Sequence, residues 1–212
     1  STIHGKGIFD DHHDLSLQWC GMHGLAAANY ALQEADCIIA LGSRFDDRTT
    51  GAIDKYAPVA RKNKAIIHVN IEKSEFNKAL ETNYNVHSRC NDFLDAVSNY
   101  TFNDTFNDTF NDIYHYNNIT KNTRNKDWIE RINFLKKSHP FVLKETKPYL
   151  NNEGFHMEEV INKLYEKTLN KNVIFTTGVG NHQMQAYQFI KAQYPNKILS
   201  SGSLGVMGAG LP

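Results

Sequence analysis

The chain has 212 residues, 41% hydrophobic and 22% charged, with 23 Lys plus Arg balanced by 23 Asp plus Glu. Equal opposite charges leave no global field to gather nucleic acid or an anionic membrane, and no apolar run reaches the roughly 20 residues that span a bilayer. Three scattered cysteines, Cys20, Cys37 and Cys90, without a C-x-x-C pair, argue against a disulfide framework or zinc site and favour a reducing interior.

A helix is predicted over 24–34, where Ala and Leu dominate. Cys37 to Leu41 is a short apolar run that ends at Gly42 and reads as a buried strand, followed by a polar loop from Ser43 to Thr50. Ala65 to Ile71 is a second β-rich run, Ser74 to Glu81 reads as helix, and a strand near Tyr84–Val86 and a helix near Asn91–Ser98 complete the unit. Strands apolar on both faces and alternating with helices predict a parallel, Rossmann-like α/β sheet covered on both sides.

Residues 101–112 repeat TFND three times and continue as Tyr- and Asn-rich sequence to about Asn125. A period of four is too short for a solenoid, so 99–126 reads as a low-complexity linker or insertion. Asp104, Asp108 and Asp112 lack the Gly and distal Glu of a calcium loop. Helical spacing resumes over Trp128–Lys137 and Glu158–Lys167. Val173–Phe175 is predicted as a strand, Gln183–Ala192 as a helix and Ile198–Leu199 as a strand that opens into a Gly-rich loop. The expected organisation is one α/β domain over 1–98 and the start of a second over 127–212. With no initiator Met and a closing Gly-Leu-Pro that ordinarily leads into a helix, the expectation is an internal segment of a longer chain.

Four loops sit where open α/β sheets are expected to bind ligands, at the carboxyl ends of strands. Cys20-Gly21-Met22-His23-Gly24 can bring backbone close to a ligand, or can simply cap a helix. Gly42-Ser43-Arg44-Phe45-Asp46-Asp47-Arg48 packs two arginines and two aspartates together. Arginine suits bidentate contact with phosphate or carboxylate, and aspartate can hold both guanidinium groups; by charge count alone the loop reads as a surface ion-pair cluster. Thr176 to Gln183 joins a strand to a helix through Gly178-Val179-Gly180, then Asn181 and His182. Ser201 to Gly210 carries four glycines, including Gly205, around Met207, a side chain that can press on a flat aromatic ligand.

In this order the four loops resemble the catalytic subunit of acetohydroxyacid synthase (acetolactate synthase), over most of the chain outside 99–126. The resemblance implies a central FAD-binding domain over 1–98 and the start of a pyrophosphate-binding domain over 127–212. It implies FAD contacts at Thr2, Ile3, His4, Cys20, Gly21, Met22, His23, Gly24, Gly42, Ser43, Arg44 and Asp46, with Asn70 and Ile71 at the adenosine end. Met22, Asp47 and Arg48 are implied at the substrate channel, Arg48 as the group that holds the second keto-acid. Val179, Gly180, Asn181 and His182 are implied at the thiamine diphosphate and donor substrate, Asn181 and His182 as the catalytic pair. Gly205 and Met207 support the cofactor. The Mg2+ ligands and the activating Glu are expected outside this sequence, so the segment alone is expected to be inactive. Departures are Asn70 where relatives carry an acid, Ser88-Arg89 where they carry Gly-Asp, and Asn181 where they carry Gln.

The implied reaction joins the two-carbon fragment of pyruvate to a second pyruvate or 2-ketobutyrate, the first common step of branched-chain amino-acid synthesis. Thiamine diphosphate supplies the carbanion chemistry, and FAD is structural because no electrons are transferred overall. A homo-oligomer, at least a dimer, and a possible regulatory subunit are implied, in a mitochondrion or plastid if the source is eukaryotic and in the cytoplasm if bacterial. The alternatives are a related thiamine-diphosphate enzyme (pyruvate oxidase, glyoxylate carboligase or oxalyl-CoA decarboxylase) or a non-catalytic relic that has lost its cofactors.

Overall fold

A computed structural model describes residues 1–103, 123–141, 155–169 and 171–211. The chain divides into two compact units, Tyr30–Ser138 and Ser1–Asn29 with His139–Pro212; the first helix, α1 (Ala26–Glu34), crosses the dividing point.

In the Tyr30–Ser138 unit, strands β1 (Ile38–Leu41), β2 (Ile66–Asn70) and β3 (Tyr84–His87) form a parallel sheet in that order. The β-branched run of β2 takes the centre, where Ile66, His68 and Val69 are fully buried. Ile38, Ala40, Phe45, Tyr56, Ala60 and Leu80 complete the core. The expectation of strands buried on both faces holds for β2 only: β1 alternates, with Ile38 and Ala40 inward and Ile39 and Leu41 exposed.

The β1–β2 connection contains two short helices that composition does not announce, α2 (Asp47–Thr50) inside the predicted polar loop and α3 (Pro58–Lys62). A proline in the first turn starts α3, where its missing N–H costs nothing. The helix predicted over Ser74–Glu81 is absent. A 3-10 turn at Lys73–Glu75 is followed by Asn77 in the left-handed region, and the Asn77 side-chain oxygen accepts from Thr82 N (2.9 Å) and Oγ1 (3.1 Å). Such local side-chain bonds compete with helix. Helix α4 (Cys90–Asn103) runs past the predicted Ser98 end into the first TFND copy, and α5 (Thr123–Ser138) starts earlier than predicted. Residues 104–122, most of the predicted insertion, lie outside the described residues. On α5, Ile132 and Leu135 are buried, and Arg131 reaches Glu34 with two bonds of 2.7 and 2.6 Å.

The other unit pairs β4 (Phe175–Thr177) in parallel with β5 (Ile198–Ser200), beside α6 (Met157–Thr168) and α7 (Asn181–Phe189). Trp19, Phe175, Ala186, Tyr187, Ile190 and Ile198 form its core. Two predicted boundaries move. Val173 N bonds back to Lys171 O, which holds 171–173 out of the sheet, so the strand is Phe175–Thr177 rather than Val173–Phe175. Helix α7 begins at Asn181, directly after Gly180, and ends at Phe189 instead of Ala192. Ala192 is held elsewhere: its carbonyl accepts from Asp11 N (2.9 Å) and its N–H donates to Asp11 Oδ2 (2.8 Å). The same carboxylate forms an ion pair of 2.7 Å with Lys6, both side chains 1% exposed. That buried pair fastens the amino-terminal segment to the loop after α7.

Candidate functional site

Within the Ser1–Asn29/His139–Pro212 unit, two glycine loops leave the carboxyl ends of neighbouring parallel strands. The first runs from β4 through Gly178-Val179-Gly180 into α7. Gly180 has φ +142, and no side chain caps the helix. The first N–H groups of α7, at Asn181 and His182, therefore face outward with the positive end of the helix dipole behind them. The His182 ring folds back over its own loop: a Cβ on Gly178 or Gly180 would lie 3.2–3.3 Å from it.

The second loop, Ser201 to Gly210, returns to the first. Thr176 Oγ1 donates to the Gly210 carbonyl (2.8 Å), and a Cβ on Gly210 would sit 2.5 Å from Gly178 N and 2.7 Å from Thr177 C. Only glycine permits that backbone-to-backbone approach. Beneath, Gln183 Nε2 donates to Ser200 Oγ (2.5 Å), which donates to Thr177 O (3.2 Å), so α7, β5 and β4 are laced together.

Between the loops opens an apolar cavity of about 490 Å3, walled by Ile161, Leu164, Ala186 and Ile190 and rimmed by Val179, His182 and Met207. Thr177 lines it with a buried hydroxyl that has no hydrogen-bond partner among the described residues. Met207 is 81% exposed. A flat hydrophobic ring with a polar head suits such a site: the walls take the ring, while the uncapped amides of α7 suit an anion. Gly205 has φ +62 and open space around it.

The Cys20–Gly24 loop lies in the same unit but, contrary to expectation, leaves no strand: turns and irregular backbone lead into it and α1 follows. Asn29 clamps the Gly21 peptide from both sides, accepting from its N–H (2.8 Å) and donating to its carbonyl (2.9 Å). Gly24 is obligatory, since a Cβ there would meet the Trp19–Cys20 backbone at 2.6–2.7 Å. The clamp presents Met22, 59% exposed, and His23 outward, and Gln188 Nε2 holds the His23 carbonyl (2.9 Å). Thr2 precedes a 3-10 turn over Ile3–Gly5; Ile3 packs on the core, and His4 lies against Gly202, where no Cβ could fit.

The Gly42–Arg48 loop, with Asn70 and Ile71, belongs to the Tyr30–Ser138 unit. Gly42 turns with φ +64. Phe45 takes a left-handed φ of 50, held there by burial of its ring against Tyr56 and His68. His68 lies beneath at 0% exposure, with Nε2 2.7 Å from the Ser43 carbonyl. A carbonyl only accepts, so Nε2 carries a proton, and buried Nδ1 has no hydrogen-bond partner among the described residues. The Asn70 amide also donates to Ser43 O (3.3 Å), and its oxygen accepts from Glu72 N (3.0 Å). Asn70 thus ties the loop at Ser43 to the turn after β2 at Glu72, and the donation to Ser43 is one that a carboxylate could not make. Ile71 is exposed, with its carbonyl accepting from His87 (2.9 Å).

The aspartates divide differently from the expectation that they hold both arginines. Asp46 caps α2 through Thr49 N (2.9 Å) and Oγ1 (2.8 Å) and reaches only Arg44, at 3.4 Å. Asp47 accepts from its neighbour's backbone, Arg48 N. The exposed Arg48 guanidinium has no ion pair among the described residues and is available to an anion. Among the described residues, no group of three or more His, Cys, Asp or Glu could hold a metal ion, and no helix is long and apolar enough to cross a membrane.

The tie between the two glycine loops, the Gln183–Ser200 link and the Asn29 clamp were invisible to sequence reasoning, because each joins residues that only the fold makes neighbours. Gln183 alone gave a signal, as a hydrogen-bonding residue at the start of a helix.

Paired parallel strands that each release a glycine loop, one into an uncapped helix, define a cofactor-binding α/β protein. The family described as "Thiamine pyrophosphate enzyme, central domain" matches residues 1–97, so this part of the chain is similar to the thiamine pyrophosphate enzymes. Over its whole length the chain is similar to acetolactate synthase catalytic subunits. It is 38% identical to the mitochondrial catalytic subunit of acetolactate synthase from Saccharomyces cerevisiae, 35% to the mitochondrial enzyme of Schizosaccharomyces pombe and 36% to the large subunit of Cyanidium caldarium. In each case 100% of this chain is covered, against 29%, 30% and 32% of the relative. The chain spans about a third of the length of the curated relatives it matches.

Proposed function

We propose that this chain is the part of an acetolactate synthase that carries the central FAD domain over 1–98 and the opening of the pyrophosphate domain over 127–212, with a family-atypical insertion over 99–126. The family match over 1–97 supports the first boundary. The reaction decarboxylates pyruvate and joins the fragment to a second pyruvate or 2-ketobutyrate. The observation that carries this reading is the cavity between the two glycine loops, with an uncapped α7 and an exposed Met207 around apolar walls.

Thiamine diphosphate, when bound, supplies the electron sink that stabilises a carbanion next to a former carbonyl carbon. This chain's residues do the rest. Val179, Gly180 and the Asn181 and His182 amides hold the diphosphate end, Met207 and Gly205 support the ring system, and the Ile161, Leu164 and Ile190 walls exclude water. Asn181 and His182 face the donor keto-acid as hydrogen-bonding groups. Arg48 holds the acceptor carboxylate, an orienting role, with Asp47 and Met22 beside the substrate. Thr2, Ile3, His4, Cys20–Gly24, Gly42–Arg44, Asp46, Asn70 and Ile71 are proposed FAD contacts, and Mg2+ is proposed to accompany the diphosphate. A homo-oligomer that can take a regulatory subunit belongs to the same reading, and the two yeast relatives, both mitochondrial enzymes, favour a mitochondrial setting.

The test is product analysis of the full-length protein supplied with pyruvate, thiamine diphosphate, Mg2+ and FAD. Acetolactate is the expected product. Acetyl phosphate or tartronate semialdehyde would assign the chain to a sister activity, and no turnover with no retained flavin would make it a relic.

A further inference from the structure

We propose that a second pocket, at the amino-terminal end of β4 and β5 and away from the two cofactor loops, binds a small phosphate-bearing anion. The pocket measures about 250 Å3 and is lined by Lys171, Lys191 and Lys197 with His12, Tyr165 and Tyr194 among its other walls; no carboxylate lines it among the described residues.

Lys197 is the central observation. It is only 9% exposed, yet no carboxylate pairs with it among the described residues. Its ammonium reaches two neutral acceptors at long range, Lys171 O at 3.5 Å and Tyr194 OH at 3.3 Å, and lies 5.2 Å over the Tyr194 ring. Buried ammonium groups are ordinarily paired, because removing a charge from water is costly. The nearby acids are committed elsewhere: Asp10 to His12 (3.2 Å), and Asp11 to Lys6 and the Ala192 amide.

Complementing the carbonyl end of α6 explains one lysine, since a helix terminus carries about half a charge; it does not explain three. Hydroxyls are present to share the load. Tyr165 OH lies 3.0 Å from His12 Nε2, and burial pushes its phenol up, so it remains an O–H donor. Lysines without an arginine fork favour a multiply charged phosphate over planar carboxylate recognition. Phe175 borders this pocket on one side and the cofactor cavity on the other, so an occupant here is one side chain away from the proposed active site.

The test is calorimetric titration of the full-length protein with inorganic pyrophosphate, with thiamine diphosphate and Mg2+ in excess so that the cofactor's own site is filled. One further saturable equivalent is expected, weakening steeply with salt. Lys197→Met should weaken it at least tenfold and Lys197→Arg should retain it. Lys191→Gln, an exposed change that leaves the fold alone, should weaken it severalfold. No saturable binding, equal affinity in Lys191→Gln and Lys197→Met, or tighter binding of citrate than of pyrophosphate would each overturn the proposal. Because the titration reads binding and not turnover, failure here leaves the proposed activity standing, and the reverse also holds.

Discussion

The approach of Gly210 to Gly178 turns the proposed cofactor site into a sharp prediction. In Gly210→Ala the new methyl would lie 2.5 Å from Gly178 N, 2.7 Å from Thr177 C and 3.1 Å from Thr177 Cα. All three are backbone atoms that cannot rotate aside, and carbon contacts are comfortable only near 3.5–4.0 Å. The two loops must therefore separate by about 1 Å. Overpacking of this kind costs about 1–3 kcal/mol, which corresponds to a roughly 5- to 140-fold loss of affinity for a ligand that needs the loops closed. Thr176→Val keeps the shape and removes only the hydroxyl bond to Gly210 O, a loss of about 0.5–1.5 kcal/mol or roughly 2- to 12-fold; Thr176→Ser should restore it. The assay is reconstitution of apoprotein with increasing thiamine diphosphate, reading half-saturation from activity and from quenching of intrinsic fluorescence. If Gly210→Ala is folded by circular dichroism and half-saturates like the parent, the two loops do not jointly hold the cofactor.

Arg48→Ala in the full-length protein should depress carboligation more than decarboxylation, read from the ratio of acetolactate to carbon dioxide; equal loss of both would remove the acceptor role. Asp11→Ala should destabilise by about 3–5 kcal/mol by stranding the buried Lys6 ammonium, with loss of amide-exchange protection at Ala192; a protected Ala192 amide would show that the pair is not the fastener. Burial, opposed by Asp11, holds the Lys6 pKa below its usual value. Between that lowered value and 10.5 the unfolded chain binds more protons than the folded one, so stability should rise with pH across this window in the parent and rise less in Lys6→Met. Asn70→Asp replaces a donor to the Ser43 carbonyl with an acceptor and should cost about 1–3 kcal/mol in chemical denaturation. An unchanged midpoint would mean that the amide does not hold the loop.

The pattern of residues was sufficient to place the glycine corners, the central strand and most helices. Glycines at 178, 180, 205 and 210 and the β-branched Ile66, Ile67 and Val69 have consequences that hold wherever the chain goes: no Cβ at a turn, a stiff χ1 in a strand. The errors lie where a local side chain overruled propensity, as Asn77 did to the 74–81 helix, or where a distant partner took a segment, as Asp11 did to Ala192. The division of the Arg44–Arg48 loop, with Asp46 spent on capping α2, also follows from backbone direction that charge counting cannot register.

By itself, then, the sequence determined the class of fold and where the glycine loops fall, because strand composition and glycine spacing act within a few residues along the chain. Only the tertiary structure decided that Gly210 comes up against Gly178 and that, among the described residues, Thr177 is left with an orphan hydroxyl and Lys197 is buried with no carboxylate partner. Those facts depend on residues tens of positions apart meeting at van der Waals distance. Such meetings are set by parallel strand register and close packing, to which no local pattern is sensitive.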